Sequence, residues 1–396
     1  MRISKFVFLF IGSFLSVFAN SKDHKTSSIV EPRSPEKIQV LIEKEADQAL
    51  IEVTGPYYVY NPHNNSCIAS GLLGKRFLAH AASRGVKWGE EFLGIHQIHI
   101  IPRSEETSLL INGIQYEGSV AIYAVGGKIN IVNHLDVEQY VKAVLAPQFT
   151  YPLETEVMSA LAILARTDAY YHVMKNKSSF WHVSANDSKY KGSALINPGS
   201  FIEKAVDSTK FLILAQSYQG KNVPFPAKWS EHSAGKTATY ATIFRKKEEL
   251  FQDKTIEAPY ADLNREETKW NYSLSRKNLA KLLGVSHIEN IETFIDSTSH
   301  KAYAIRLLAD QGTKKDFNFL EFQELLGPSH LKSSEFEVQY KGDTIQFSGY
   351  GSGHGVGMCI YSASAMAQNG ESALKILSKF YPETFLYNLS AIPMME

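Results

Sequence analysis

Glycines occupy every second position from Gly349 to Gly357, near the carboxyl end of the chain. This spacing differs from the G-x-G-x-x-G pattern of dinucleotide sites and lacks the GK[ST] end of a P-loop, so it disfavours phosphate binding. Alternating glycines allow the backbone to approach a ligand or a neighbouring strand closely. They leave His354, between Gly353 and Gly355, as the functional side chain of the segment. Two roles are open for it: a core histidine that fixes the loop, or a residue that lines a binding groove.

A second polar segment runs from Ser230 to Thr237 with the sequence SEHSAGKT. His232 and Ser233 are the residue types of a general base and a nucleophile. Adjacent residues rarely face one another, however, so this pair is weak evidence for hydrolase chemistry. The alternative role for the segment is a polar wall of a groove.

Two helices are predicted around a short polar loop. Asp136 and Gln139 have capping-box spacing, and Pro147 biases the residue before it away from helical angles, so the first helix lies between them. A second helix, from about residue 156 to residue 173, is apolar nearly all round and should be buried. Residues 148–155 then form a loop between two helix ends, where side chains are both positioned and exposed.

The amino terminus has the features of a secretory signal peptide. Arg2 and Lys5 precede an apolar run from Phe6 to Phe18, and cleavage is expected after Ala19. The run is shorter than the roughly 20 residues of a membrane-crossing helix, but an uncleaved anchor remains the alternative. The protein is therefore expected to be secreted across the inner membrane, to the periplasm or the cell envelope.

The remaining chain divides by its apolar pattern. Residues 20–37 are polar, contain two prolines and predict a flexible linker. Residues 38–133 show short alternating apolar runs separated by Gly, Asn and Pro, which predict strands. Residues 134–387 mix helical and strand patterns. The expected fold class is α+β, with a β-rich amino-terminal unit joined to a mixed α/β core that carries a cleft.

Composition excludes several partners. Lys plus Arg and Asp plus Glu are equal at 41 each, so no excess of basic charge points to nucleic acid or anionic lipid. Cys67 and Cys359 are the only cysteines, which excludes a disulfide framework and a structural metal site built on thiolates. A single bridge between them stays open. Binding must therefore depend on local sites.

Three segments, in order, resemble the SpoIID/LytB family, named for a sporulation protein and an amidase enhancer. Tyr140–Gln148, followed by Glu156 and by Ala165–Thr167, resembles a YVxGVVAAEM-like stretch that leads to an EALKAQAVAARTYA-like helix. Leu325–Ser333 resembles the family's LLGLxxLxS turn. Gly351–Met358 is close to the GWGHGVGM signature and is the most specific of the three.

The resemblance covers roughly residues 38–387 and implies an extracytoplasmic peptidoglycan protein of the lytic transglycosylase or muramidase type. Its substrate would be glycan strands whose stem peptides an amidase has removed. In that reaction a carboxylic acid protonates the glycosidic oxygen and the sugar's own 6-hydroxyl attacks, giving a 1,6-anhydro end. No cofactor is expected. The implied partners are the glycan strands and an N-acetylmuramoyl-L-alanine amidase or the division machinery.

One departure from the family concerns the acid. The family's catalytic Glu falls on Gln148, whose side chain has no titratable proton to give. Glu154 and Glu156 are nearby carboxylates that could supply the acid instead, although Glu156 can also cap the second helix or pair with a cation. Three classes of function stay open. The protein is an enzyme whose acid has moved or is weak, a glycan-binding module that enhances or localises an amidase, or a purely structural envelope protein.

Other site residues follow from the resemblance. Substrate contacts are expected from residues of the second helix, of a YKG-like motif, of the HSxSGGxT-like loop and of the glycine segment: Arg166, Thr167, Tyr190, His232, Ser233, Gly353, His354 and Gly355. Arg166 needs a partner if it is buried, so a structural salt bridge is the alternative to a sugar contact. Family members often carry a Cys and His cluster where this chain keeps only His182, so no metal is expected there.

Overall fold

The computed structural model describes residues 36–245, 254–309 and 312–391. The predicted signal peptide and residues 20–35 of the predicted linker lie outside the described residues. Within the described ranges the chain is mixed α/β and rich in strands, with ten α-helices. In these same ranges no helix combines the length and the apolar character needed to span a bilayer.

The amino-terminal part of the described chain is built almost entirely of strands. Their bounds are β1 (Lys37–Ala46), β2 (Gln48–Val53), β3 (Tyr57–Asn61), β4 (Ser66–Gly71), β5 (Lys75–Ala82), β6 (Gly85–Trp88), β7 (Glu90–Leu93), β8 (Gln97–Pro102), β9 (Leu109–Ile111), β10 (Ile114–Tyr116), β11 (Ser119–Val125) and β12 (Lys128–Asp136). In β2, alternation of apolar and polar residues buries every second residue, whereas β11 and β12 are buried on both faces. The strand-rich character predicted for residues 38–133 is confirmed.

Two helices follow the last of these strands, α1 (Val137–Leu145) and α2 (Thr155–Lys175). The Asp136 side chain accepts a hydrogen bond of 2.6 Å from the backbone N–H of Glu138 and so caps α1. Thirteen residues of α2 are buried, because its apolar surface extends nearly all round. The polar loop lies between α1 and α2, as the sequence predicts.

The rest of the chain alternates short helices and strands. The bounds are β13 (Val183–Ser184), α3 (Ala185–Ser188), α4 (Phe201–Ser208), β14 (Leu212–Tyr218), β15 (Lys221–Val223), β16 (Trp229–Ser230), α5 (Tyr240–Phe244), α6 (Pro259–Leu263), β17 (Trp270–Ser275), α7 (Arg276–Leu283), β18 (Ile288–Ile295), β19 (Ala302–Ala309), β20 (Thr313–Asn318), α8 (Phe319–Leu326), β21 (Glu335–Lys341), β22 (Thr344–Tyr350), β23 (Met358–Cys359), α9 (Ile360–Gln368), α10 (Ala373–Phe380) and β24 (Phe385–Asn388). Short 3₁₀ turns lie at Arg265–Thr268 and Leu389–Ala391.

The described strands form six sheets. A seven-stranded sheet has the order β13-β1-β12-β11-β8-β3-β4, and a six-stranded sheet has the order β10-β9-β2-β5-β6-β7. Three sheets have three strands each, β15-β14-β24, β17-β22-β21 and β18-β19-β20, and β16 pairs with β23 alone. Pairs such as β14 with β24 and β16 with β23 therefore join segments that are distant in sequence.

Two large hydrophobic cores are present in the described residues. The main core joins both large sheets to α1, α2, α4 and α10, so residues such as Ile51 and Leu161 share it. A second core lies within residues 238–356 and is formed by α5, α7, α8 and strands β17 to β22. The boundary predicted between residues 133 and 134 stays a prediction, because the main core extends across it.

The two cysteines are not bonded to each other. Cys67 is exposed on β4, whereas Cys359 is buried on β23. The structure therefore contains two free thiols, and the fold is held together without a bridge.

Candidate functional site

The glycine segment packs against the segment that contains β16. Gly353 has a φ of 90°, and a Cβ placed there would lie 2.5 Å from the Ser230 hydroxyl oxygen. Gly357 has a φ of 76°, and its Cβ would lie 2.0 Å from the Lys228 carbonyl oxygen. Only glycine combines this left-handed backbone with so close an approach. The alternating glycines are thus required by a neighbouring stretch of protein, which was one of the two uses that the sequence left open.

His354 is held by its own loop. Its Nδ1 accepts a hydrogen bond of 3.0 Å from the backbone N–H of Val356, so the neutral ring carries its proton on Nε2. Burial, with smaller effects from Lys228 and Lys189, lowers the pKa of His354 to about 3. The ring is therefore neutral near pH 7, and Nε2–H is a hydrogen-bond donor with no partner among the described residues. Phe244 contacts the ring edge-to-face at 5.4 Å between centroids.

A charged cluster lies near His354 and is called the lysine cluster: Asp168, His172 and Lys228. Both carboxylate oxygens of Asp168 accept hydrogen bonds of 2.8 Å from Lys228 Nζ, and His172 Nε2 lies 3.6 Å from Asp168 Oδ2. Burial would raise the pKa of Asp168, but Lys228 and His172 outweigh it and lower the pKa to about 2. Asp168 is therefore a fixed negative charge at physiological pH.

A pocket of about 530 Å³ opens next to this cluster and is called the aromatic pocket. Its wall includes Tyr171, His172, Phe180, Trp181, Asp187 and Tyr240. Tyr240 stacks on Phe244 with ring centroids 4.5 Å apart, and Phe244 in turn contacts His354. The pocket is therefore linked to the glycine segment by two ring contacts and to the lysine cluster by His172.

Gln148, at the predicted acid position, is half-buried and hydrogen-bonded to the helix that precedes it. Gln148 Nε2 donates a hydrogen bond of 2.8 Å to the carbonyl oxygen of Val144, in the last turn of α1. Gln148 is not part of the wall of the aromatic pocket. The structure therefore places Gln148 directly after α1, as predicted, but does not bring it to the pocket beside His354.

The two carboxylates considered as replacement acids bind the carboxyl-terminal helices. Glu154 accepts a hydrogen bond of 2.6 Å from the side chain of Gln368, and Glu156 accepts one of 2.6 Å from the backbone N–H of Ala373 in the first turn of α10. Burial acts to raise the pKa of Glu154, but hydrogen bonds from Ser364, its own backbone and Gln368 lower it overall. A lowered pKa is the opposite of what a general acid requires.

Three residues expected to contact substrate lie in the core instead. Arg166 is completely buried, and its guanidinium forms two-pronged bonds with Glu138, including one of 2.7 Å from Nη2. Thr167 is buried, donates to Ile163 O and accepts from Leu214 N; Tyr190 is buried and donates to Asn133 Oδ1 at 2.6 Å. Because these side chains are enclosed and bonded within the protein, a ligand in the pocket cannot touch them directly. For Arg166, the structural salt bridge considered from the sequence is the one observed.

His232 and Ser233 are also buried and form no dyad. His232 Nδ1 accepts a hydrogen bond of 3.1 Å from the backbone N–H of Ala234, and its ring lies 4.8 Å from that of Tyr361. Within the described chain, His232 Nε2 and the Ser233 hydroxyl have no hydrogen-bond partner. The expected wall of a groove is therefore a packed support for the glycine segment.

His182 is largely buried and is part of the wall of the aromatic pocket. Its Nδ1 accepts a hydrogen bond of 3.1 Å from the backbone N–H of Gln39. Among the described residues, no group of three or more His, Cys, Asp or Glu side chains is arranged to hold a metal ion. The expectation that the protein works without a metal stays a prediction.

Sequence reasoning missed the lysine cluster. Asp168 follows Arg166 and Thr167 directly and stands four residues before His172, so helical spacing could have paired it with that histidine. Lys228 is 60 residues away from Asp168 in sequence and carries no local signal.

Comparisons with known proteins link the chain to one family. The family profile described as SpoIID, Stage II sporulation protein, matches residues 125–216. An uncharacterized protein of Chlamydia pneumoniae is 34% identical over 206 residues, which are 52% of this chain and 74% of that protein. Stage II sporulation protein D of Bacillus subtilis is 24% identical over 277 residues, 67% of this chain and 78% of its own.

A third relative is more local. The amidase enhancer of Bacillus subtilis is 38% identical over 66 residues, which are 17% of this chain and 9% of the relative. The profile match, the sporulation protein and the amidase enhancer carry the two names of the family that the sequence motifs resemble. The chain belongs to the SpoIID/LytB family.

Proposed function

We propose that the protein binds the glycan strands of bacterial peptidoglycan in the aromatic pocket, beside His354. The observation that carries this proposal is the aromatic wall of the pocket, which two ring contacts join to the neutral His354 and which His172 joins to the Asp168–Lys228 pair. Sugars present apolar faces that pack on aromatic rings and hydroxyl groups that need hydrogen-bond partners. Membership of the family supports a role connected with the cell wall.

The place of action and the partners belong to the same proposal. A cleaved signal peptide at residues 1–19, or an uncleaved anchor there, would bring the protein to the periplasm or envelope, where glycan strands are found. The relative named amidase enhancer supports a partnership with an N-acetylmuramoyl-L-alanine amidase during envelope remodelling or division. In that partnership the amidase would supply the peptide-free strands that this protein binds.

Binding can be tested by sedimentation with cell-wall material. Wild-type protein should be retained more strongly by amidase-treated peptidoglycan than by intact sacculi. Phe180→Ala should weaken this retention, because Phe180 lines the pocket and is 64% exposed. Phe77→Ala is the matched control, since Phe77 is also exposed at 52% but lies on β5 outside the pocket. Equal retention on both materials, or equal loss for both variants, would contradict the proposal.

Cleavage of the strand by a lytic transglycosylase reaction is the second candidate function. Its support is the position of Gln148, which follows α1 at the family's acid position and is hydrogen-bonded to Val144. Glu138 and Arg166 join α1 to α2. The acid itself is the missing element, because Gln148 has no proton to give. We therefore place binding first and cleavage second.

Gln148→Glu separates the two candidates. If only the proton donor is missing, this variant should create or strongly raise cleavage, since a positioned acid contributes about 10²- to 10⁴-fold. The product to detect by mass spectrometry is a 1,6-anhydro sugar released from amidase-treated strands. Gln148→Ala is the control with the same loop and no carboxylate. If wild type already cleaves and Glu154→Gln or Glu156→Gln abolishes it, the acid has moved; a folded, inactive Gln148→Glu leaves binding as the function.

A further inference from the structure

A second pocket in the described chain shares no residue with the wall of the aromatic pocket. It has a volume of about 590 Å³ and is called the charged pocket. Among the residues of its wall are Lys236, Asp262, Arg265, Glu335, Glu337 and Tyr350. A cavity that carries charges of both signs indicates a ligand that also carries both.

The floor of the charged pocket is one face of the hairpin formed by β21 and β22. In the antiparallel register of these strands, Glu335 lies opposite Tyr350 and Glu337 lies opposite Ser348. Residues two apart in a strand project from the same face of the sheet, and all four of these residues line the pocket. The hairpin therefore fixes the spacing of the two carboxylates along the floor.

Arg265 is held firmly but keeps a donor for a ligand. Its Nε and Nη2 donate hydrogen bonds of 3.1 and 2.6 Å to Glu335 Oε1, and its guanidinium lies 3.6 Å from the centroid of the Tyr350 ring. The other oxygen of Glu335 accepts from the buried Lys301. In the described residues, Nη1 of Arg265 has only a 3.4 Å contact to the exposed Glu266. Two cations thus share one buried carboxylate, and Nη1 can bind another.

Lys236 and Asp262 line the same pocket, and neither has an ion pair or a side-chain hydrogen bond within the described part of the chain. A Cβ placed on Gly235 would lie 2.7 Å from Asp262 Oδ1, so this carboxylate lies against the loop that carries Lys236. Because the two opposite charges do not bind each other, both are available. A ligand that binds both must have its own charges spaced apart.

We propose that the charged pocket binds a short peptide with a free amino-terminal ammonium group and a carboxylate on its second residue. The ammonium group would bind the carboxylates of Asp262 and Glu337. The peptide's carboxylate would bind Lys236 and Nη1 of Arg265 through charge-assisted hydrogen bonds. A ligand with negative charges alone fits less well, because the unpaired carboxylates of the wall would repel it.

The site itself is independent of glycan binding in the aromatic pocket, but the source of the peptide rests on the proposed function. When an amidase hydrolyses the amide between the lactyl group and the stem peptide, the first residue, alanine, gains an amino group that is largely protonated near pH 7. The second residue, a γ-linked glutamate, keeps its α-carboxylate. The peptide released from the strand therefore has the pattern of charges that the wall of the charged pocket can bind.

Calorimetric titration of the purified protein with synthetic tripeptides tests this inference. L-Ala-γ-D-Glu-L-Ala-NH2 carries one ammonium group and one carboxylate. Its N-acetyl form lacks the ammonium group, and its D-isoglutamine form has an amide in place of the carboxylate. The free tripeptide should bind about tenfold more tightly than either blocked form, because each has lost charge-assisted hydrogen bonds. Added salt should reduce the difference.

Variants assign each charge to its partner. Asp262→Asn should weaken binding of the free tripeptide about tenfold and leave the N-acetyl form unchanged. Lys236→Met should weaken the free tripeptide similarly and leave the D-isoglutamine form unchanged. Asp343→Asn and Lys341→Met are the matched controls, because both residues are exposed at the turn of the same hairpin, outside the pocket. Circular dichroism should show that each variant is folded.

The outcomes separate this inference from the proposed function. Equal affinity for free and N-acetyl tripeptide, no binding of either, or equal losses in the pocket variants and the controls would overturn the inference and leave glycan binding standing. Displacement of the tripeptide by amidase-treated strands would assign the pocket to glycan and also overturn it.

Two further results concern the source of the peptide. Equal affinity for L-Ala-L-Asp-L-Ala-NH2, in which every linkage is an α-amide, would overturn the assignment to a stem peptide. Selective binding of the γ-linked tripeptide, with the losses confined to Asp262→Asn and Lys236→Met, supports the inference. It does so even if the protein fails to sediment with peptidoglycan, a result that would reject the proposed function alone.

Discussion

Arg166 and Asp168 stand two residues apart on α2, and at 3.6 residues per turn their side chains point about 200° apart around the helix. Arg166 is completely enclosed, and its donors are met by Glu138 and by carbonyl oxygens of Leu212 and Val206. Asp168 keeps 15% of its side-chain surface exposed and binds Lys228, whose side chain is 22% exposed. The first network is closed and holds the fold, whereas the second is partly exposed and is joined to the wall of the aromatic pocket through His172.

The largest effect is expected from breaking the closed network. Glu138→Leu leaves the Arg166 charge buried without its carboxylate and should lower the free energy of unfolding by about 3–5 kcal/mol. Glu138→Leu combined with Arg166→Met removes both charges and should recover much of that loss. Denaturant unfolding measures both variants.

A matched control comes from an exposed pair. Arg306 binds Asp316 on the surface between β19 and β20, so Asp316→Asn should leave the free energy of unfolding almost unchanged. A Glu138→Leu protein as stable as Asp316→Asn would contradict the assignment of the Glu138–Arg166 network to the fold.

A smaller, pH-dependent effect on stability is expected from the lysine cluster. The pKa of Asp168 falls from 3.8 to about 2 on folding, so its ionisation contributes roughly 2 kcal/mol of stability above pH 4. Because the folded pKa is the lower one, this contribution is lost as the pH falls through about 2. Asp168→Asn should therefore be less stable than wild type at pH 7, and the difference should shrink between about pH 4 and pH 2.

Denaturant unfolding at a series of pH values measures this profile. Lys191→Met changes an exposed lysine, so its stability profile should superimpose on that of wild type. A stability difference for Asp168→Asn that stays constant down to pH 2 would show that Asp168 is not an ionised partner of Lys228.

The smallest effect compares two glycines with similar backbone angles. Gly357 and Gly342 have φ values of 76° and 62°, but a Cβ at Gly342 meets no atom within 4 Å. Both alanine variants carry the cost of a left-handed backbone, typically about 1 kcal/mol. Gly357→Ala should be destabilised further, because its methyl group would push the Lys228 carbonyl away and disturb the lysine cluster. Equal melting temperatures for the two variants would remove the close approach as a reason for the glycine.

Much of the fold is readable in the sequence because it depends on local patterns. Asp136 and Pro147 bound α1, the apolar residues of α2 predict its burial, and the alternating runs before residue 133 predict strands. The glycine segment was recognised, and its spacing indicated a close backbone approach. These features depend on the physical properties of residues that are neighbours in sequence, so they can be predicted without knowledge of tertiary contacts.

The candidate site was harder to predict because its members meet only in three dimensions. Lys228 reaches Asp168 across 60 residues, and no local pattern around Lys228 indicates this pairing. Conversely, Arg166, Thr167 and Tyr190 matched family motifs that looked like ligand contacts, although each forms its hydrogen bonds inside the core. A family motif indicates that a residue is needed, but it does not show whether the side chain contacts a ligand or supports the site from within the core.

The pairing of β16 with β23 has a consequence for the order of folding. The hydrogen bond from Gly355 N to the Ser230 hydroxyl spans 125 residues, and nearly all of the second core lies between its two ends. Closing so long a loop before its interior has folded is entropically costly. We therefore expect the glycine segment and His354 to assemble late, after the intervening chain is compact. Ligand-binding competence would then appear only in molecules that have completed folding.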